Sequence, residues 1–495
     1  MTARGTLDAL VVGSGPSAIA TSIALSGYRP HYVRGCKLYS ERLERELASV
    51  DDLLSADLPS LSHGLSQRQS NNRLAVLFDL LFHPNADYTE LAEPHDQPTQ
   101  TCLGLTRSNR SHAHVVVGDE AAGGSWHTMR GSTLALSPGY WMELPGLEMN
   151  ASKLSEPPRS WRPTRESRRS RRGRNEMARY YRGLPKHFGL GGFVSDRVVS
   201  AREDGGAWAV ETRDGRSYRA RRLILAVGTS GVKKKIGVAG EDLPHVSHTC
   251  GGALDAAAET RTLLVIGAGL SATDCIVEAL QAGWTVFHSF RGPAASAKIV
   301  TKFGGDHWIR SGMYPEYNAL AAKITGDFDG TTMFDKMRRF RFSEMATSYT
   351  PHADTELREI GRDGSFTLRR GTGAFAAEVS GHAARVAILV GSRPDLSFLG
   401  QEVRDTLERA GPPPRENADG VRSTHEPFVD VDPWSMEAKA VPRLHALGPL
   451  RGDNFCRFAI HDGWGVLRAM EQNGELGEVV KPKKKRGQRK AKTEL

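Results

Sequence analysis

The amino-acid sequence predicts an α/β fold in which one strand–turn–helix unit occurs twice, and three observations support this. An apolar run at residues 7–12 leads into a glycine-rich turn and a helical pattern. The same succession returns at residues 263–280. Between the two units, residues 194–226 read as alternating strands with turns at Gly205-Gly206 and Asp214-Gly215, which is typical of a β-meander.

Length and charge fit an ordinary globular protein. The chain has 495 residues, 39% hydrophobic and 25% charged, enough for roughly two to four domains. Its net charge of +9 arises in two short segments, because residues 165–174 carry +5 and residues 481–495 carry +7, which leaves −3 elsewhere. A sequence-specific nucleic-acid surface is therefore not predicted. The basic tail resembles a nuclear import signal, with a solubilising extension or a non-specific polyanion contact as alternatives.

The cysteines and apolar runs indicate the compartment. No apolar run approaches the ~20 residues of a membrane-spanning helix. The cysteines include no CxxC pair, which argues against a disulfide framework, a zinc site or other metal site, and a dithiol redox centre. We therefore expect a reducing compartment, the cytoplasm, with the nucleus as an alternative if the tail is an import signal. The five cysteines are Cys36, Cys102, Cys250, Cys275 and Cys456.

The first glycine-rich turn has the residue types that a bound dinucleotide requires. Gly13 permits a tight turn after the strand, Gly15 lets a pyrophosphate approach the backbone, and Ala18 lets the helix pack closely on the strand. The helix N-terminus offers N–H groups and the positive end of its dipole to the phosphates. A single turn of this kind also occurs in unrelated α/β proteins. The residues assigned to this site are Gly13, Ser14, Gly15, Pro16, Ser17 and Ala18.

A second turn of the same kind favours a protein with two dinucleotide sites over a chance match. One site is typical of a dehydrogenase, whereas two are typical of a flavoprotein that takes electrons from a nicotinamide. The sequence thus predicts two Rossmann-like domains, with FAD at the first turn and NADPH at the second. The residues assigned to the second turn are Gly267, Gly269, Ser271 and Ala272.

The residues after each turn bear on which nucleotide binds. Arg291 follows the strand at 285–290, where a cation can pair with the 2′-phosphate of NADPH. A solvated arginine explains that residue equally well. After the first turn the expected ribose-binding acid is missing, because the strand around 31–33 runs into Arg34, and Glu41, the nearest acid, lies late. Ribose recognition at the first site is therefore unassigned.

Three further segments are compatible with a flavin. Gly123, Gly124 and Trp126 follow a strand and suit close approach of a planar ring, although a turn with a core tryptophan would look the same. Gly228 ends a strand that leads to a crossover between domains. Gly452 and Asp453 lie between a strand and a helix, where the carboxylate can accept hydrogen bonds from a ribityl chain, and the helix N-terminus stabilises negative charge on a reduced flavin.

On these motifs the chain resembles the oxidative stress-induced growth inhibitor family and, more distantly, flavin-containing and N-hydroxylating monooxygenases. The resemblance implies an FAD- and NADPH-dependent monooxygenase fold and a role in restraining growth, cell death or cell division. The monooxygenase relatives usually carry Ala-Thr-Gly where this chain has Ala226-Val227-Gly228, and their linker pattern is reduced at residues 240–248. The similar stretches are residues 11–17, 77–79, 123–127, 314–317, 391–399 and 448–458.

The function we predict is therefore that of a monooxygenase in which NADPH reduces the flavin and the reduced flavin activates dioxygen as a hydroperoxyflavin. No catalytic side chain is assigned and the small-molecule substrate is unknown. A flavoprotein scaffold that acts through a protein partner is the main alternative. A pyridine nucleotide–disulfide reductase is disfavoured because no cysteine pair is evident beside the flavin. Candidate contacts are Trp126, His127, Tyr314, Glu316, Tyr317, Asn454 and Phe455.

The predicted domain order inserts the second unit into the first. Residues 1–252 form the first part of the FAD domain, residues 253–385 the NADPH domain, and residues 386–478 the remainder of the FAD domain. Residues 479–495 form a basic disordered tail.

Overall fold

The structure is a computed structural model. It describes residues 5–38, 40–65, 70–84, 101–130, 133–149, 171–258, 260–297, 315–326, 345–371, 376–412 and 427–479. The predicted tail apart from Val479, most of the basic segment at 165–174, and Tyr314 lie outside these residues. Among the described residues, no helix combines the length and apolarity that crossing a bilayer requires.

The elements alternate along the chain as an α/β protein requires. The helices are α1 (Pro16–Leu25), α2 (Glu41–Leu47), α3 (Leu58–Ser62), α4 (Arg73–Phe82), α5 (Arg174–Phe188), α6 (Cys250–Leu254), α7 (Leu270–Gln281), α8 (Pro315–Thr325), α9 (Gln401–Ala410), α10 (Cys456–Ala459) and α11 (Asp462–Gln472). The strands up to the second sheet are β1 (Leu7–Val12), β2 (Tyr28–Tyr32), β3 (Leu103–Arg107), β4 (Arg110–Ser111), β5 (His114–Gly118), β6 (Leu134–Pro138), β7 (Arg171–Gly173), β8 (Phe193–Ser195), β9 (Val198–Asp204), β10 (Ala207–Thr212), β11 (Ser217–Leu225) and β12 (Val232–Lys233). The later strands are β13 (Val246–Ser247), β14 (Thr262–Ile266), β15 (Thr285–Ser289), β16 (Tyr349–His352), β17 (Thr355–Ile360), β18 (Ser365–Arg370), β19 (Ala377–His382), β20 (Arg385–Ile388), β21 (Ser392–Arg393), β22 (Leu444–Ala446) and β23 (Glu478–Val479).

The first sheet has the order β8-β5-β1-β11-β10-β9, with β22 also paired to β11. The pairs β1–β11, β1–β5, β5–β8 and β11–β22 are parallel, whereas β10 runs antiparallel to both β9 and β11. Strand β1 is a continuous apolar run because both of its faces are buried, one against α1 and α11 and the other against a cluster that includes α9. The antiparallel part is the meander that the sequence predicted.

The second sheet is parallel throughout, in the order β13-β20-β14-β15-β16. A three-stranded antiparallel sheet, β17-β18-β19, connects β16 to β20. All of these strands lie in the chain between β11 and β22, which are neighbours in the first sheet. The second unit is therefore inserted into the first, as predicted. Its sheet includes β13, which precedes residue 253, and β20, which begins at residue 385. The boundaries of the predicted 253–385 domain stay a prediction.

A long insertion separates α1 from the strand that follows it in the first sheet. Residues 28–32 form β2, but this strand pairs antiparallel with β3 and does not lie beside β1. The neighbour of β1 on that side is β5, with Ala9 opposite His114. The interpretation of residues 31–33 as the second strand of the first unit was therefore wrong. Helices α2, α3 and α4 fill the insertion and bury a cluster of leucines and Phe78.

The insertion also contains a disulfide bond, between Cys36 and Cys102. The cysteine pattern argued against a disulfide framework, and this bond contradicts that expectation, because two cysteines 66 positions apart give no local sign of pairing. The β2–β3 hairpin explains the approach of these residues. Tyr32 on β2 is paired with Leu103 on β3. Cys36 follows β2 and Cys102 precedes β3, so both cysteines lie at the same end of the hairpin.

A buried ion pair fixes α10 against α4. Asp79 is fully buried on α4, and its carboxylate accepts hydrogen bonds from Arg457, at 2.6 Å from Nη2, and pairs with His83 Nδ1 at 2.8 Å. The Arg457 guanidinium also lies 4.0 Å from the centre of the Trp141 ring. These contacts hold α10, which follows the predicted residues Gly452 and Asp453, against helix α4 of the insertion.

Candidate functional site

The first glycine-rich turn joins β1 to α1. The turn is packed against protein at Gly13 and leaves free space at Gly15. Gly13 has a φ of +111°, and a Cβ there would lie 2.3 Å from the carbonyl oxygen of Ala226. Gly15 has a φ of −73°, and a Cβ there would meet no atom within 4 Å. Ala18 is fully buried against β1. Glycine is thus required at residue 13 by the fold, whereas glycine at residue 15 leaves free space above the backbone.

A second glycine turn adjoins the first. Gly123 has a φ of +121° and donates its N–H to the carbonyl oxygen of Ser14 at 2.7 Å. A Cβ at Gly124 would lie 3.0 Å from Gly15 Cα. Trp126 follows in a 3-10 turn and packs on the core of the insertion. The structure therefore brings these predicted residues to the start of α1.

A third glycine turn reaches the same place from the C-terminal end of β22. Gly448 has a φ of +56°, and a Cβ there would lie 2.9 Å from Ser17 Oγ on α1. Its N–H donates to the Asp462 carboxylate at 2.6 Å. Gly448 was not among the predicted site residues, although the apolar strand before it and Pro449 after it indicate a turn. The first turn of α1 is thus enclosed by three backbone turns that exclude larger side chains.

The predicted Asp453 lies at the end of this third turn and is fully buried. Its carboxylate accepts hydrogen bonds from the Ser70 hydroxyl at 2.9 Å and from Arg451 Nη1 at 3.0 Å, and burial raises its pKa. Burial also raises the pKa of Asp462, whose Oδ1 lies 3.5 Å from Arg451 Nη1, to about 6. The contact of Asp453 with a ribityl chain stays a prediction. Gly452, beside it, has a φ of +99°.

The insertion changes which strand lies beside β1, and therefore where a ribose-binding acid is expected. Because β5 is the strand beside β1, the residues that follow its carboxyl end are Asp119 and Glu120. Asp119 is half exposed, with its carboxylate 3.7 Å from Arg197 Nε. The search failed because it counted about 20 residues from the first turn. The apolar strand at residues 114–117, which leads into Gly123, was the signal that could have found these acids.

The second predicted turn repeats the geometry of the first. Gly267 has a φ of +124°, and a Cβ there would lie 2.5 Å from the Leu389 carbonyl oxygen. Gly269 has a φ of −85°, and a Cβ there would meet no atom within 4 Å. Ala272 is fully buried and Ser271 is exposed. Two turns of the same design therefore open at the start of α1 and of α7.

A histidine that the sequence analysis missed supports the second turn. His288 on β15 lies with Nε2 2.7 Å from the Gly267 carbonyl oxygen and Nδ1 2.8 Å from the Tyr349 hydroxyl. Burial lowers the pKa of His288 to about 4, so the ring is neutral at pH 7. Since a carbonyl only accepts, Nε2 carries the proton and Nδ1 accepts from Tyr349.

The remaining predicted residues are partly assembled. Arg291 is exposed just beyond β15, the parallel neighbour of β14. Gly228 has a φ of +65° and follows β11. His127 lies near the Gly123 turn, with Nε2 2.9 Å from the Ala122 carbonyl oxygen. Tyr317, by contrast, is buried in the core of the second unit, where its hydroxyl donates to Asp274.

The other candidate contacts lie directly before α10 and on α8. Asn454 is exposed and Phe455 is partly buried, both directly before α10, and Glu316 lies in the first turn of α8. In the part of the chain that the structure describes, no group of three or more His, Cys, Asp or Glu side chains has the arrangement of a metal site.

Arg130, four residues after Trp126, connects the two units. Its guanidinium pairs with Glu278 on α7, with Nε 2.8 Å from Oε1, and with Asp255 after α6 at 2.8 Å. Beside this bridge Cys250 Sγ lies 4.0 Å from Glu278 Oε2, and Cys275 is buried on α7. The sequence predicted no dithiol because it has no CxxC pair. Helix α6 packs against α7, where Cys275 belongs to the hydrophobic core of the second unit and Cys250 packs against that core.

Comparison with known proteins agrees with this architecture. A family model described as Pyridine nucleotide-disulphide oxidoreductase matches residues 108–324. Among solved structures, the bacillithiol disulfide reductase Bdr from Staphylococcus aureus is similar with a TM-score of 0.55 and 14% identity, over 96% of this chain and 99% of that chain. The flavin-containing monooxygenase from Stenotrophomonas maltophilia gives 0.51 and 16%, over 95% of this chain and 100% of that chain.

The fold is therefore that of the flavin-dependent oxidoreductases that bind FAD and NAD(P)H, and these are the cofactors that the two turns predicted. A curated relative, "Oxidative stress-induced growth inhibitor 1" from Mus musculus, is 30% identical over 91% of this chain and 92% of its own length. That identity extends across both units and the insertion between α1 and β5. The chain belongs to the oxidative stress-induced growth inhibitor family.

Proposed function

We propose that this protein is an FAD- and NADPH-dependent monooxygenase. The observation that carries the proposal is the pair of open glycine turns, at Gly15 and Gly269, each of which leaves room for a pyrophosphate at the start of a helix. A Cβ at either residue would occupy that room without meeting protein. The residues present therefore fit two dinucleotides.

The proposed assignments follow the geometry. Residues 13–18, Gly123, Gly124, Trp126, Gly228, Gly452 and Asp453 would surround FAD, and Asp119 would take the ribose hydroxyls. Gly267, Gly269, Ser271 and Ala272 would hold the pyrophosphate of NADPH. Arg291 would pair with the 2′-phosphate, since it follows the strand beside the second turn.

When bound, the flavin supplies hydride acceptance from the nicotinamide and the activation of dioxygen. The chain contributes backbone N–H groups, the dipole of α1 and the closely packed turns that keep water from the phosphates. The buried Arg451, shared by Asp453 and Asp462, holds the third turn against the start of α11. No side chain is assigned as a nucleophile.

Two other classes make different predictions about the purified protein loaded with FAD. A monooxygenase consumes NADPH together with dioxygen. A disulfide reductase, the class that the family model describes, consumes NADPH only when a disulfide is added and takes up no dioxygen. Simultaneous recording of absorbance at the NADPH band and of oxygen concentration distinguishes them. Absence of NADPH consumption under both conditions would contradict the proposal and favour a scaffold.

The names of the relatives also lead us to propose a role in restraining growth. Expression of wild-type protein and of Gly15→Ala in the same cells tests whether that role needs the cofactor. We expect the variant to lose the effect on growth at equal protein level. Retention of the full effect by a variant that lacks FAD would instead favour a scaffold that acts through a protein partner.

A further inference from the structure

The antiparallel sheet β17-β18-β19 packs one of its faces, here called the inner face, on the parallel sheet of the second unit. On β18 the side chains of Phe366 and Leu368 are buried in one cluster with those of β14. The rings of Phe366 and of Phe287 on β15 have their centres 5.7 Å apart. Because side chains alternate between the two faces of a strand, Arg370 lies on the inner face with Phe366 and Leu368. The inner face of this sheet therefore ends in an arginine.

The register of the antiparallel sheet places Arg370 near the carboxyl end of β15. Arg370 is opposite Thr355 on β17, and residues paired across antiparallel strands project their side chains from the same face. The hydroxyl oxygen of Thr355 lies 2.8 Å from that of Ser289, the last residue of β15. Arg370 therefore lies on the face that meets this strand end, where a dinucleotide bound to the second turn presents its ribose.

Backbone hydrogen bonds hold Arg291 at the same strand end. The carbonyl oxygen of its neighbour Phe290 accepts the N–H of Thr355 at 3.0 Å. The carbonyl oxygen of its other neighbour, Gly292, accepts the N–H of Asp354 at 2.8 Å. The chain directly after β15 is therefore joined to the start of β17, the strand that pairs with β18.

The charges of these two arginines are not balanced by neighbouring acids. Both side chains are exposed, and neither forms an ion pair within the part of the chain that the structure describes. Glu356 and Glu378 on the adjoining strands are opposite Arg369, and so lie on the outer face. Asp354, on the loop before β17, is exposed and pairs with neither arginine. Two unpaired guanidinium groups at one strand end favour an anion that carries more than one charge.

We propose that Arg370 is a second cation for the 2′-phosphate of NADPH and acts together with Arg291. This inference rests on the proposed function, because it takes the second turn as the NADPH site. A phosphate monoester carries about 1.5 to 2 negative charges at pH 7, which two guanidinium groups neutralise better than one. The selection of NADPH over NADH is thereby shared between the parallel sheet and the antiparallel sheet.

The test measures binding of two probes, adenosine 2′,5′-bisphosphate and 5′-AMP, which differ only in the 2′-phosphate. Full-length protein loaded with FAD is titrated with each probe by isothermal titration calorimetry, so that the first turn is already occupied. We expect the wild type to bind the bisphosphate more tightly than 5′-AMP. Arg370→Ala should raise the Kd for the bisphosphate about tenfold or more and leave the Kd for 5′-AMP unchanged. Arg370→Lys, which keeps the charge but not the planar fork of donors, should recover part of that loss.

Arg369 provides the matched control, because it is the adjacent arginine and lies on the outer face of β18. Arg369→Ala should leave both Kd values unchanged, and the Tm of each variant shows whether it is folded. An equal loss of bisphosphate affinity in Arg369→Ala would overturn the inference. The inference alone also fails if Arg291→Ala weakens bisphosphate binding and Arg370→Ala, at a wild-type Tm, does not. If the wild type binds both probes equally, the assignment of NADPH to the second turn fails, and the role of Arg370 fails with it.

Discussion

Replacement of Gly15 by alanine separates cofactor binding from folding. Gly15 has a φ of −73° and a ψ of −179°, which any residue adopts, and the added Cβ meets no protein atom within 4 Å. The methyl group instead fills the space in which the proposed pyrophosphate lies against the turn. Gly13→Ala is the informative contrast, because its φ of +111° and a Cβ 2.3 Å from the Ala226 carbonyl oxygen strain the backbone itself.

The expected loss of FAD affinity follows from the hydrogen bonds that the pyrophosphate would lose. Displacement from the N–H groups of the turn removes at least one charge-assisted hydrogen bond, which contributes about 1.5–3 kcal/mol. We therefore expect the Kd for FAD to rise about ten- to hundredfold. For the apoprotein, loss of a glycine N-cap costs up to about 1 kcal/mol and the reduced entropy of the unfolded chain returns about 0.4–1 kcal/mol. The stability of apo Gly15→Ala should thus stay close to that of the wild type.

The assay is a titration of apoprotein with FAD, followed by flavin fluorescence, together with thermal unfolding of each apoprotein. Gly15→Ala should show weakened binding at an unchanged Tm. Gly13→Ala should lose at least about 2 kcal/mol of stability, because a strained backbone at positive φ costs about 1–3 kcal/mol before the clash is counted. Wild-type affinity for FAD in folded Gly15→Ala would refute the assignment of this turn to the cofactor.

Three further predictions concern the two nucleotides and pH. Arg291→Ala should raise the KM for NADPH about tenfold or more and leave the KM for NADH unchanged. Equal changes in both KM values would contradict the proposal that Arg291 pairs with the 2′-phosphate. Asp119→Asn should weaken FAD binding about tenfold in the same fluorescence titration, with Glu120→Gln as the matched control; a larger effect of Glu120→Gln would reverse the assignment. His288 stays neutral in the folded protein down to about pH 4, whereas the unfolded chain takes up a proton below its ordinary pKa of 6.5. Stability should therefore fall as pH drops from about 6.5 to about 4, by on the order of 3 kcal/mol, and His288→Gln should flatten the dependence of Tm on pH over that window.

The sequence was sufficient for both glycine turns because their requirements are local. Within six positions each unit needs a tight turn, an open backbone and a small residue in the helix. Each of these requirements selects a distinct residue type. The same locality explains why the meander and the strands that begin each unit were predicted correctly.

The features that were missed depend on distant parts of the chain. The strand beside β1 begins at His114, far beyond the usual spacing, because a hairpin and three helices intervene. Asp119 was overlooked for that reason. The Cys36–Cys102 disulfide depends on the pairing of β2 with β3, which no short spacing encodes.

The chain enters and leaves the second unit through two short strands that pair with each other. In this ribbon β12 and β21 run antiparallel, with Val232 opposite Arg393 and Lys233 opposite Ser392. A unit joined by one strand can rotate about single bonds, but a unit joined by a hydrogen-bonded ribbon can only bend it or shear it. Rotation of the second unit relative to the first is thereby confined to this ribbon, and cutting one of its two strands would remove that constraint.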